Sequence, residues 1–275
     1  MTPPEIKLNR NINSFLILGT EIDLKDFTVS DNFDKDLKDK VIVEGEVDIN
    51  KEGIYEVVYK VEDSSHNETK VVSTINVQKE DTDGIPILMY HWFYDDEVTK
   101  KPNNELYLSK SNFIEQMDYL VKNNYYFPTW DELEDYIDGK INLPKKSIII
   151  TADDGDPTYY KIAVPIMNAR NIPSTSFVIS KNPSWKNYKN QEGVSMESHT
   201  HTLHVRSCTN NSQNGKAMCL TYDEILQDLK KSLEYVENKE CMAYPFGHYN
   251  NTFVKAVKDA GIHMALTTNG GRVKK

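Results

Sequence analysis

The chain has 275 residues, 39% of them hydrophobic and 27% charged, and carries a formal net charge of -10 at pH 7. That length allows one large domain, or a large and a small one, each with a proper core. The acidity argues against a nucleic-acid backbone as partner, which requires basic patches to release counterions, and no run nears the ~20 apolar residues that cross a bilayer. A neutral or cationic polymer fits better.

Residues 1–80 read as short strands. YEVVYKV places Tyr55, Val57, Tyr59 and Val61 on one face, and VVSTINV does the same with Val71, Ser73, Ile75 and Val77. Period two predicts half-buried β-strands. Turn signals at Ile49–Gly53 (INKEG) and Glu62–Glu68 (EDSSHNE) separate them, which predicts a small antiparallel sandwich. No cluster of catalytic residue types occurs there. A polar stretch, QKEDTDG, follows, with residues 81–84 as the linker.

From residue 85 to 275 the pattern becomes strand–helix alternation. Strands are predicted at IPILMYH, SIIITADD, STSFVIS, VSMESH, CMAYPFG and HMALTTN. Helical faces are formed by Phe113, Met117, Leu120 and Val121, and by Ile225, Leu229, Leu233 and Val236. Alternation implies parallel strands joined by crossovers. Six strands in about 190 residues favour a small, incomplete (β/α) barrel over an open doubly wound sheet, and the glycine-rich nucleotide fingerprint is absent.

In such a barrel, functional groups collect at the C-terminal ends of the strands, and the unusual residues fall there. His91 closes the first strand, Asp153 and Asp154 the second, HTHTLH begins at His199, and YPFGHY ends the strand from Cys241. By itself TADDGD is an ordinary solvated turn, yet Asp153, Asp154 and Asp156 repel one another unless a cation, proton or solvent takes up the charge. Five of the seven histidines lie in this arrangement, namely His91, His199, His201, His204 and His248. A carboxylate with two neutral imidazoles suits Zn²⁺ and similar ions and leaves positions open for water and substrate, as in catalytic metal sites. The three cysteines, Cys208, Cys219 and Cys241, are too few for a disulfide scaffold and lack zinc-ribbon spacing. Cys208 and Cys219 flank a polar loop and would close it with a disulfide in an oxidising compartment; two free thiols are the alternative.

TADDG, SHTHTLH and AYPFG, in this order and on these strands, resemble the successive motifs of the polysaccharide deacetylases, the NodB-homology carbohydrate esterases. PILMYHWF and LPKKSIIITADDG are similar to the branch acting on poly-N-acetylglucosamine and related glycans. The resemblance covers about residues 84–272, and the segment from Gly53 to Val77 resembles the closing hairpin of bacterial immunoglobulin-like surface modules. The implied fold is an immunoglobulin-like sandwich followed by a distorted (β/α) barrel. Carried over, Asp153 matches the catalytic base, Asp154 the metal carboxylate, and His199 and His204 the metal imidazoles. The His199–His204 spacing, one residue longer than usual, resembles the poly-N-acetylglucosamine branch, where the barrel is permuted and the general-acid histidine comes from the first strand, here His91. The Phe246 N–H would face the developing oxyanion. His91 would be kept protonated by a carboxylate such as Asp95 or Asp96.

The chemistry is coherent on its own terms. An amide is a poor electrophile, and a metal addresses this by polarising the carbonyl and acidifying water. Asp153 would take the proton from the attacking water while His91 protonates the leaving amine. The family's usual aromatic residue before DDG is Ala152 here, which would enlarge the pocket or be packed by another side chain. An arginine common in the family is replaced by Ala243, leaving open the group that steadies Asp153, with Arg206 as a candidate.

The resemblance thus implies a metal-dependent N-deacetylase of N-acetylglucosamine residues in peptidoglycan or poly-N-acetylglucosamine. Zn²⁺ is expected first, with Co²⁺, Ni²⁺ or Mn²⁺ as alternatives. An O-acetyl esterase on xylan, or a catalytically weak glycan-binding surface protein, are the competing readings. No signal-peptide pattern precedes MTPPEIKLNR, and the family's habitat outside the membrane favours a mature segment of a secreted or cell-surface protein over a cytosolic one. The partner expected is an N-acetylated glycan, not nucleic acid, and the chain is expected to be a monomer.

Overall fold

The computed structural model describes residues 2–208, 211–236 and 238–275. It divides into two compact units, one built from residues up to Asp83 together with Asn142–Lys146, the other from Gly84–Ile141 and Ser147–Lys275. No helix of the described residues is long and apolar enough to cross a membrane.

In the first unit, β1 (Glu5–Leu8) pairs antiparallel with β3 (Phe27–Ser30). A second sheet has the order β2 (Asn13–Ile17), β6 (Glu68–Gln78), β5 (Gly53–Glu62), β4 (Ile42–Glu44). The period-two faces are as expected: Val57, Tyr59, Val61, Ile75 and Val77 are buried with Phe27 and Leu37. Ser73 is buried on the same face, its hydroxyl donating to the Ile12 carbonyl at 2.8 Å. One pairing departs from a wholly antiparallel sandwich, because β2 runs parallel to β6. Parallel neighbours need a long connection, and the intervening strands β3 to β5 provide it. Residues 142–146 join this unit through the Glu80–Pro144 bridge and a 2.7 Å hydrogen bond from the Asp81 N–H to the Leu143 carbonyl.

The second unit holds all six predicted strands: β7 (Ile87–Tyr90), β10 (Ile149–Ala152), β11 (Ser174–Val178), β12 (Val194–Ser198), β15 (Cys241–Ala243) and β16 (Met264–Leu266). They form one parallel sheet in chain order, with β7 and β16 at its edges. It curls into a half-barrel that does not close. Near that seam Ile85 and Val273 exchange two backbone hydrogen bonds of 2.8 and 2.9 Å. Two small pairs, β8 (Trp92–Tyr94) with β9 (Tyr107–Ser109) and β13 (Arg206–Cys208) with β14 (Asn211–Gly215), sit on the connections.

Helices α1 (Lys110–Lys122), α2 (Trp130–Ile137), α3 (Val164–Asn168), α4 (Tyr222–Val236) and α5 (Asn251–Asp259) complete the unit. Ser109 caps α1, and Thr129 with Glu132 forms a capping box on α2, satisfying N–H groups that a helix start leaves unpaired. Phe113, Met117 and Leu120 are buried as expected, but Val121 is exposed, since the apolar stripe of α1 is narrower than the sequence pattern suggested. On α4, Ile225, Leu229 and Val236 are buried and Leu233 packs beside them; Ser232 is buried too, its hydroxyl 2.8 Å from that of Ser198. Each fully buried Phe, Leu or Met contributes about 1.5–3 kcal/mol. Ala152 packs with Phe93, Phe113, Tyr159 and Tyr160 in the cluster that also takes Ile150. By strand alternation it therefore faces away from Asp153, and its small size does not enlarge the pocket there.

Candidate active site

Parallel strands end in loops that converge on one rim of the half-barrel. Asp153 and Asp154 follow β10, and His199 follows β12. The turns that aim them are strained. Asp154, Thr200 and Phe246, all at strand ends on this rim, have φ of 73°, 69° and 58°. Non-glycine residues rarely occupy that region, and they tend to mark functional sites. Composition gave no signal for these conformations.

The rim brings three side chains together. The His204 Nε2 lies 3.5 Å and the His199 Nε2 3.8 Å from Asp154 Oδ1, and one ligand atom of each residue lies within 4.8 Å of the others. Asp154 Oδ1 is buried without a hydrogen-bond partner, an arrangement that is costly unless a cation neutralises it. His199 is buried, its Nδ1 2.9 Å from the Ala243 carbonyl. That bond fixes Nδ1 as the donor and leaves a lone pair on Nε2, the usual orientation of a metal-ligating imidazole. Burial lowers the His199 pKa and takes His204 down to about 4, with His199 adding to the latter shift and Asp154 opposing it. Both rings are therefore neutral at pH 7, the form that binds metal. The donor set fits a divalent cation.

Asp153 is 6% exposed, its Oδ2 3.9 Å from His199 Nε2. Burial pushes its pKa up to about 7, His91 pulls it down, and Asp154 pushes it further up. His91 is thus near enough to act on the Asp153 carboxyl, while the two carboxylates first considered have other partners. Asp95 pairs with Lys110 at 2.9 Å and Asp96 bonds the Ser111 hydroxyl. Arg206 does not reach Asp153 either: its guanidinium lies over the Phe246 ring at 4.3 Å, and it donates to the Gln213 carbonyl. The Phe246 ring in turn rests 4.4 Å from that of His204.

The other histidines separate cleanly. His201 is turned away, its Nδ1 2.8 Å from the Ser180 hydroxyl and its ring stacked on Tyr235. His248 Nδ1 accepts from the Gly215 N–H at 3.1 Å. Gly215 ends the hairpin that Cys208 and Cys219 close with a disulfide, their Cα atoms 5.5 Å apart. Beside Asp153, a cavity of about 310 Å³ opens between the edge strands, lined by Ile87 and Met89 of β7 and by Ala265 and Leu266 of β16.

A parallel half-barrel with carboxylates and imidazoles gathered at its C-terminal rim is an incomplete (β/α)-barrel with a candidate metal centre. Residues 140–265 match the polysaccharide deacetylase family, and residues 6–77 match the Ig-like domain of bacterial surface proteins. The two matches fall on the two units separately, the first on the half-barrel and the second on the β-sandwich. The poly-beta-1,6-N-acetyl-D-glucosamine N-deacetylase of Staphylococcus aureus is 32% identical over 174 residues, 56% of this chain and 59% of that protein. The enzyme of the same name from Staphylococcus epidermidis is 30% identical over 179 residues, 58% of this chain and 61% of that protein. The chain thus spans less than two thirds of the curated relatives it matches. The structure of IcaB from Ammonifex degensii superposes with a TM-score of 0.59 at 25% identity, over 71% of this chain and 93% of that one. The Streptococcus pyogenes deacetylase PplD shares the fold, with a TM-score of 0.56 at 22% identity over 70% of this chain and 92% of that one.

Proposed function

We propose that this chain is a metal-dependent N-deacetylase that acts, as a monomer outside the cell membrane, on N-acetylglucosamine residues of peptidoglycan or poly-β-1,6-N-acetylglucosamine. The observation that carries the reading is the neutral His199–His204 pair facing the unpartnered Asp154 oxygen, with Asp153 and His91 alongside. The named activity of the staphylococcal relatives supports the substrate class.

Asp154, His199 and His204 would hold the ion, Zn²⁺ first among candidates, which would polarise the amide carbonyl and make water acidic enough to react near neutral pH. The remaining work falls to the chain. Asp153, buried next to the ligands yet outside the group of three, takes the proton from the attacking water. The Phe246 N–H, held by a left-handed backbone, faces the developing oxyanion, a contribution of typically ~3 kcal/mol. His91 protonates the departing amine, so that the C–N bond breaks to give acetate and a free glucosamine amine. The cavity beside Asp153 provides room for the acyl group, and the Ig-like domain serves as a spacer on the bacterial surface.

Acetate release from N-acetylglucosamine oligomers and from acetylated xylan, measured in parallel before chelation, after it, and after Zn²⁺ is restored, tests the reading. Release from the amide substrate that stops with chelation and returns with Zn²⁺ is expected. Release from xylan alone would replace the amidase with an O-acetyl esterase, and chelator-insensitive release would remove the metal.

A further inference from the structure

The cavity beside Asp153 is larger than removal of an acetyl group requires. Met89 of β7 stands opposite Thr151 of β10, and Ala243 of β15 stands opposite Leu266 of β16. Residues opposite one another, or two apart along a strand, share a sheet face. Met89, Thr151 and Asp153 on one side of the seam, and Ala243 and Leu266 on the other, therefore face the same space, which all five line. Below Asp153 the one polar group of these walls is the Thr151 hydroxyl, and it donates to the Leu88 carbonyl at 3.0 Å. The lining beneath the carboxyl is thus apolar, and the remaining polar side chains of the cavity, such as Asn269 and Arg272, belong to the segment that returns from β16 to Ile85.

The space measures about 310 Å³. The heavy atoms of an acetyl group, each comparable with a water molecule of ~30 Å³, fill roughly a third of it. A hexanoyl group fills roughly two thirds on the same measure. Met89 faces this space yet is 49% exposed, because β7 is an edge strand of the open sheet. Its unbranched thioether adapts to chains of different length. The glycan backbone cannot follow its substituent here: a polymer lies along the open rim, and only the group on the nitrogen, whose carbonyl carbon must reach Asp153, can pass between the strands. Water against such walls finds few partners, so a hydrocarbon chain displaces it with gain, each buried methylene being worth about fourfold.

We propose that the seam cavity is an acyl pocket for straight-chain groups longer than acetyl, so that the chain also hydrolyses N-acylglucosamine residues whose acyl groups have about four to six carbons, an inference that rests on the deacetylase reading. The bonds exchanged are those of the acetyl reaction. The oxygen of water joins the carbonyl carbon as Asp153 takes its proton, the C–N bond breaks as His91 protonates the nitrogen, and the products are a short-chain carboxylate and the glucosamine amine.

The Zn²⁺-loaded full chain is assayed on glucosamine oligomers of one length that are N-acetylated, N-butanoylated or N-hexanoylated, with carboxylate and free amine both counted. The kcat/KM values for the two longer amides should lie at or above the acetyl value. Either one falling below it would overturn the acyl pocket and leave the deacetylase reading in place, whereas no release from any of the three would overturn that reading and the wider substrate range with it. Met89→Trp, which narrows the space, should lower the hexanoyl-to-acetyl ratio of kcat/KM at least about tenfold; Leu266→Trp, on the facing wall, is a second variant with the same expectation, and an unchanged ratio in whichever of them folds would overturn the location. Calorimetry on the metal-free protein separates the pocket from the chemistry. N-hexanoylglucosamine should bind at least about tenfold tighter than N-acetylglucosamine, and equal affinities would overturn the pocket whatever the rates.

Discussion

Replacing Asp153 with asparagine should stabilise the metal-free protein while abolishing turnover, and the two effects have one cause. The Asp153 carboxyl moves from an ordinary 3.8 to about 7 in the folded chain, chiefly through burial. Since the folded-state value is the higher, the unfolded chain loses its proton first. The stability associated with the protonated group is complete below about pH 4 and drains away as pH rises to about 7, at about 1.4 kcal/mol per pH unit. Above that the ionised carboxylate costs the fold up to about 4 kcal/mol, a cost a neutral amide of the same shape avoids. Urea unfolding of parent and Asp153→Asn in chelator, at steps from about pH 5 to about pH 8, should show the variant's advantage growing along that slope and levelling off near pH 7. With metal restored, the variant should bind it through Asp154, His199 and His204 yet lose on the order of 10²–10⁴ in kcat. A stability difference that does not change with pH would show that Asp153 is not held protonated by burial. Loss of metal together with activity would move Asp153 into the ligand group and end the division of roles between the two carboxylates.

The histidines of HTHTLH should separate by metal analysis: His204→Ala loses the ion, while His201→Ala, whose ring is bonded to Ser180 and stacked on Tyr235, keeps it; the reverse pattern would exchange their roles. His91→Ala should retain metal and lose about 10²–10⁴ in kcat on the amide, yet hydrolyse an activated ester, whose leaving group needs no proton, nearly as fast as the parent. Equal losses on both substrates would make His91 a pocket residue. Replacing both Cys208 and Cys219 by serine should cost on the order of 3 kcal/mol in unfolding free energy, and because the hairpin they close carries Arg206 over Phe246 and Gly215 against His248, kcat on the amide should fall as well. Unchanged kcat in a folded variant would mean the hairpin does not position these residues.

The parallel sheet was legible because apolar runs such as SIIIT and STSFV can hardly be anything but buried strands in a chain that alternates them with amphipathic helices. The rim residues were legible because acids and imidazoles at strand ends have few bland explanations in combination. Other features depended on tertiary contacts. Which of His201 and His204 faces Asp154 turns on a left-handed backbone at Thr200, for which threonine gives no cue. Lys110 and Ser111, which engage Asp95 and Asp96, are distant in sequence from both, so the sequence offered no sign that these carboxylates have partners other than His91. Arg206 was read by charge alone, whereas the ring of Phe246 decides its position. Residues 142–146 gave no local sign that they pack in the first unit. The buried Glu197 did leave a signal: in VSMES, Ser195 and Glu197 fall on the same strand face as His199, the face that in a small barrel is ordinarily apolar.

The unclosed seam between β7 and β16 bears on how the second unit can be carried. Because Ile85 and Val273 bond to each other across the chain, the two outer ends of the second unit lie side by side, while residues 142–146 interrupt it and belong to the first. A scaffold that received the unit would need one short gap for that paired edge and a new loop in place of residues 142–146, and the rim residues, all on internal loops, would move with it intact.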